Sequence, residues 1–85
     1  MKPVKLLRNL SSGSLRNVAF GDFVRLVEGL GFRASRVSGS HRIFIHSEIP
    51  ELVNLQEVRG QVKPYQIRQV LRLVERYNLT LGDAE

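Results

Sequence analysis

His41 and His46 are the only two histidines in the chain, and no cysteine accompanies them. They bound the stretch His41-Arg42-Ile43-Phe44-Ile45-His46, a short apolar run entered through a Gly39-Ser40 turn. On a regular strand an odd spacing turns two side chains to opposite faces, so this pair cannot jointly grip one ion. A metal site would have to lean on carboxylates, and neither a metal nor a cofactor is expected. Ser40 adjoins His41 but faces away from it, so no serine–histidine triad is in prospect. That leaves His41 acting singly. An imidazole titrates near ~6.5 and can move protons at neutral pH. One such group suffices to cleave RNA if it takes the proton of a 2′-hydroxyl, because RNA carries its own nucleophile. DNA lacks that hydroxyl and cannot react this way. A plain hydrogen bond at a strand end suits the residue equally, and spacing leaves both roles open. His41 shares strand parity with Ile43 and Ile45. With those isoleucines turned toward the helices, it would stand at the rim of that layer.

The cations are the second candidate set. Lys and Arg number 13 against 8 Asp and Glu, a formal charge of +5. Lys2, Lys5 and Lys63 are the only lysines; the rest are arginines, whose planar forks suit phosphate. Arg68, Arg72 and Arg76 recur every fourth residue along one predicted helix. They read either as a phosphate-tracking row beside a helix start that, with Lys63, attracts anions, or as a solubilising face with Arg72 and Glu75 paired. Aromatics do not interleave with the cations, so sequence-specific readout of single strands is not indicated. Gly29-Leu30-Gly31-Phe32-Arg33-Ala34 has the letters of a dinucleotide fingerprint but the wrong context. That motif runs from strand into helix, and here a helix leads into a strand. Helix capping explains those glycines better. No P-loop pattern occurs.

The elements that must hold these residues are legible by periodicity. Phe23, Leu26, Val27 and Leu30 form one stripe, predicting a helix over 21–30 with Gly21 as N-cap and Gly31 as its left-handed terminator. Strands are predicted over 32–37 and 41–46, joined as a hairpin by Ser38-Gly39-Ser40. A loop over 47–51 containing Pro50 and a short strand over 52–55 follow, then an irregular stretch to Lys63 centred on Gly60. Pro64 opens a second helix to about Tyr77, with Ile67, Val70, Leu71, Val74 and Tyr77 on its inner face. Leu79 and Leu81 are expected to pack behind it. The outcome is an α+β domain: an antiparallel three-stranded sheet with both helices on one face. Residues 1–19, where Leu6, Leu7 and Leu10 suggest a short amphipathic turn before Ser11-Ser12-Gly13-Ser14, read as a basic N-terminal arm partly packed onto the domain. Residues 20–81 are the core domain, and 82–85 a frayed tail.

Eighty-five residues make one domain with a modest core. Nothing approaches ~18 consecutive apolar residues, so no membrane span is expected. The absence of cysteine suits a reducing compartment, and a cytoplasmic location is expected.

Gly31-Phe32, then Val37-Ser38-Gly39-Ser40-His41, then an Ile-Phe strand and a closing Lys63-Pro64…Ile67…Val70-Leu71 helix resemble the HicA family of toxin mRNA interferases. The resemblance covers about residues 20–81. It implies a fold like a double-stranded RNA-binding domain, α-β-β-β-α, here with an N-terminal extension. It also implies metal-independent endoribonuclease cleavage of mRNA that arrests translation. The family's catalytic histidine falls on His41, its positioning turn on Gly39 and Ser40. Arg42, Lys63, Arg68 and Arg72 are then expected to hold phosphate. A HicB-type antitoxin is the expected partner, covering the active site, with no direct DNA binding by this chain. Many members carry a second histidine where Arg42 stands here, and Pro-His where Gln56-Glu57 stand. Two other functions fit the same fold: an RNA-binding module without catalysis, and a protein-interaction domain whose basic face meets an acidic partner.

Overall fold

The computed structural model describes residues 1–82. Its elements run α1 (Pro3–Ser11), α2 (Phe20–Gly29), β1 (Arg33–Ser38), β2 (His41–His46), β3 (Ile49–Gln56) and α3 (Pro64–Tyr77). The strands form one antiparallel sheet in the order β1-β2-β3. One sheet face carries Phe44, Val53 and Leu55. It packs against the inner faces of α2 (Phe23, Leu26, Val27) and α3 (Ile67, Val70, Leu73), and all nine side chains are buried in one cluster. The other face is open to solvent. From α2 onward this is the expected α-β-β-β-α order.

The segment over 1–19 expected to be an arm contains a nine-residue helix. α1 opens with Pro3 at its first turn, where a missing N–H is harmless, and buries Leu6 and Leu10. Both join the central cluster, and α1 packs against α2. The serine–glycine run that ends α1 is the break expected there. The local pattern of three leucines understated a helix whose stability comes from tertiary packing.

The helix ends follow known chemistry. α2 stops in a Schellman motif. Gly31 adopts φ 103°, its N–H donates to Glu28 C=O, and Phe32 N–H donates to Val27 C=O. Ala19, not Gly21, is the residue that caps its start. α3 ends at Asn78 in the left-handed conformation. The chain then returns across α2: Leu79 and Leu81 pack on the core, and Gly82 N–H donates to Gly29 C=O. The tail expected to fray over 82–85 lies, Gly82 apart, outside the described residues.

β3 begins three residues earlier than expected and includes Pro50. The loop is only Ser47-Glu48, and His46 pairs with Ile49. Pro50 is tolerated because β3 is an edge strand with one free side. The irregular stretch after β3 holds a tight turn. Val58 and Gln61 exchange backbone hydrogen bonds around Arg59 (φ 54°) and Gly60 (φ 77°), two left-handed residues as a type I′ turn requires.

Candidate functional site

The β1–β2 connection is a two-residue hairpin loop. Gly39 supplies a positive φ of 61° and Ser40 does not, the pattern of a type II′ turn. This places His41 as the first residue of β2, opposite Ser38 on one side and Gln56 on the other. The loop is tied down from β3. Glu57 N–H donates to Ser40 C=O at 3.3 Å, and Gln56 Nε2 donates to Ser40 Oγ at 3.4 Å. Gln56 is itself held by α3, since the Oε1 of the buried Gln66 accepts its backbone N–H at 3.4 Å. The end of β3, the first turn of α3 and the Gly39-Ser40 loop therefore form one connected end of the molecule.

His41 is on the open face of the sheet, not at the rim of the helix layer. Phe44 decides this. It is the bulkiest apolar residue of β2 and takes the buried face, so Arg42 and His46 go with it, while His41, Ile43 and Ile45 turn outward. The opposite placement of the two histidines is as expected. His46 is structural: its ring meets Phe32 edge-on at 5.0 Å, and its Nδ1 accepts the Glu48 N–H at 3.1 Å.

His41 is exposed, and its Nδ1 is 3.3 Å from Asn54 Oδ1. Asn54 pairs with Ile43, so it reaches His41 diagonally across the two strands. A carbonyl-type oxygen accepts only, so in this contact Nδ1–H is the donor and Nε2 is not engaged by Asn54. Two arginines share this face. A β-bulge between Ala34 and Arg36 shifts the register by one residue, so Arg36 pairs with Ile43 and Arg33 with Ile45. Without that extra residue the two arginines would point to opposite faces. The paired positions of the open face thus carry His41, Asn54, Arg33 and Arg36 and no acid.

The residues expected to hold phosphate do not form one row. Arg42 is on the helix side, its guanidinium 5.2 Å above the Phe20 ring, a contact worth about 0.5–1 kcal/mol when exposed. Lys63 precedes α3, Arg68 stands in its second turn, and Arg72 lies exposed one turn further. Arg76 is engaged elsewhere, 3.0 Å from Glu51 on β3, and the Arg72–Glu75 pair of the alternative reading is absent among the described residues. Glu51 also accepts the Tyr77 hydroxyl at 2.6 Å. That bond, with the Arg76 charge behind it, lowers the Glu51 carboxyl below its ordinary value; the same bond raises the Tyr77 phenol.

Asn54, Arg33 and Arg36 are the residues of this face that sequence reasoning missed. Strand parity carries Asn54 to the side of His41. However, β3 also shifts register between Phe44 and His46, so which residue meets the histidine depends on an irregularity that periodicity does not reveal.

The order α-β-β-β-α, with an exposed histidine directly after a Gly-Ser hairpin loop, defines a small domain folded like a double-stranded RNA-binding domain. Residues 20–75 match the family model described as HicA toxin of bacterial toxin-antitoxin, and the chain belongs to that family. It is therefore a toxin of a toxin–antitoxin system. Among curated proteins and among solved structures, none matches the chain. No helix among the described residues is long and apolar enough to cross a membrane.

Proposed function

We propose that this toxin is a metal-independent endoribonuclease that cleaves mRNA, with His41 as its proton-transfer group and a HicB-type antitoxin as its partner. The observation that carries the proposal is the His41–Asn54 contact on an open, acid-free, arginine-bearing sheet face. With Nδ1 held by Asn54, Nε2 takes the proton of a ribose 2′-hydroxyl. The resulting oxygen attacks the adjacent phosphorus, and the P–O5′ bond breaks. The products are a 2′,3′-cyclic phosphate and a 5′-hydroxyl end. The proton returns to the departing oxygen from the imidazolium or from water. Arg36, with Arg33 beyond it, stands on the correct face to bear the charge that builds on the phosphoryl oxygens. Arg42 stands on the other face and acts through Phe20, holding the start of α2 rather than the reacting phosphate.

The test is cleavage of a synthetic RNA in the presence of a chelator, with the new ends identified. Wild type should leave the cyclic phosphate. The His41→Ala variant, equally well folded because the residue is exposed, should cut roughly 10²–10⁴ times more slowly. Equal cutting by both proteins would remove His41 from the mechanism.

A further inference from the structure

Two open clefts adjoin where the segment after α1 meets the start of α3. One, of about 540 Å³, is lined by Ser14, Arg16, Pro64 and Arg68 among others. The other, of about 270 Å³, has Arg16, Arg59, Lys63 and Pro64 in its walls. Arg16 and Pro64 belong to both, so the clefts make one continuous groove. Four cations line it, no lining residue is acidic, and none of the four is in an ion pair among the described residues. Like charges gathered without a counter-charge repel, and a groove walled by one sign concentrates ions of the other. α3 adds to this. It begins at Pro64 with no side-chain cap, so the positive end of its dipole opens on the groove.

The position of the groove connects it to the candidate site. Val58 lies in its nearer wall, and the preceding residue, Glu57, donates its N–H to Ser40, the neighbour of His41. One residue, the exposed acid Glu57, therefore separates the hairpin loop from the groove wall at Val58. The walls contain no aromatic ring, which favours phosphate over stacked bases. They also lack the buried aromatic anchor that a protein hot spot uses.

We infer that this groove holds the phosphates of an RNA strand flanking the point of cleavage, and that Arg16, outside the matched family region, closes one wall. The inference rests on the ribonuclease proposal for its choice of strand. It enlarges the expected set of phosphate-holding residues by Arg16 and Arg59. It also gives the N-terminal segment a role in substrate binding as well as in the core.

A labelled 2′-O-methyl RNA of about a dozen nucleotides tests this, because it keeps the phosphates and cannot be cleaved through its 2′-oxygen. Binding is followed between about 0.05 and 0.2 M salt. Each phosphate contact on a single strand contributes about 0.7 to the slope of log affinity against log salt. The Arg16→Gln/Arg68→Gln protein should lose about 1.4 of slope and bind roughly tenfold more weakly. Arg16→Lys/Arg68→Lys should recover most of both. Lys2→Gln/Arg25→Gln, with the same net charge but on another surface, should bind nearly as the parent does. Equal weakening by the groove and control pairs would overturn the inference, leaving only net charge. So would parental binding by the groove pair, including the case in which that pair loses only its affinity for the antitoxin. Groove-dependent binding with no cleavage of ordinary RNA would sustain the groove and sink the ribonuclease. Cleavage by a protein indifferent to the groove pair would do the reverse.

Discussion

At the scale of residues, the proposed chemistry rests on one imidazole and the amide oxygen 3.3 Å from it. In that proposal Asn54 is a positioning residue for His41, and its loss should be felt in rate more than in binding. Asn54→Ala should lower the rate constant at saturation by up to about a hundredfold, with KM little changed, since a misplaced group forfeits that much. Asn54→Asp should restore orientation and add a negative charge beside the ring. A carboxylate favours the imidazolium, so the limb of the pH–rate profile that reports His41 should move to higher pH. A variant that changes neither rate nor profile would reduce Asn54 to a strand residue. The identity of His41 as the candidate was legible from residue type and turn. Its face was not, because the outward isoleucines and the inward Phe44 are all apolar. The choice between them was made by volume, not by polarity.

At the scale of elements, two features carry the fold to the site. α1 buries Leu10, which is 1% exposed, in the same cluster as α2 and the sheet. Leu10→Ala should therefore cost about 2–5 kcal/mol. Thermal denaturation should show it as a fall of roughly 4–8 °C per kcal/mol. An arm laid loosely on the domain would give almost no change. Gly31 ends α2 with φ 103°, and a Cβ there would lie 2.6 Å from His46 Nε2. Gly31→Ala should destabilise by about 1–3 kcal/mol, read in the same melt. The helices α2 and α3 were visible because their stripes repeat cleanly and because Gly31 and Pro64 mark an end and a start. β3 was shortened in the sequence reading because Pro50 argues against a strand interior, and only the edge position admits it. The two sheet irregularities, at Ala34/Arg36 and Phe44/His46, leave no trace in the alternation of so short a strand. They nonetheless decide which arginines and which amide accompany His41.

At the scale of the whole molecule, the C-terminal half of α3 is fastened to β3 through Glu51, Tyr77 and Arg76. The Glu51 carboxyl is lowered in the folded protein, so its contribution is complete above the ordinary carboxylate value and fades as pH falls through the lowered one. Tyr77 is raised, so its contribution is complete below the ordinary phenol value and fades as pH climbs through the raised one. Tyr77→Phe should flatten both limbs of melting temperature against pH. Unchanged limbs would place the pH sensitivity elsewhere. The molecule as a whole presents an open face with an exposed histidine and, around its end, a basic groove. Both suit a strand of RNA, and both are surfaces an antitoxin would have to cover. The most direct measurement is induced expression of the wild-type and His41→Ala proteins side by side, with growth and mRNA integrity followed over time. Arrest accompanied by loss of mRNA in the wild type alone is the predicted result. Arrest by both proteins with mRNA intact would contradict it, and would make this toxin a binder of its target and not a nuclease.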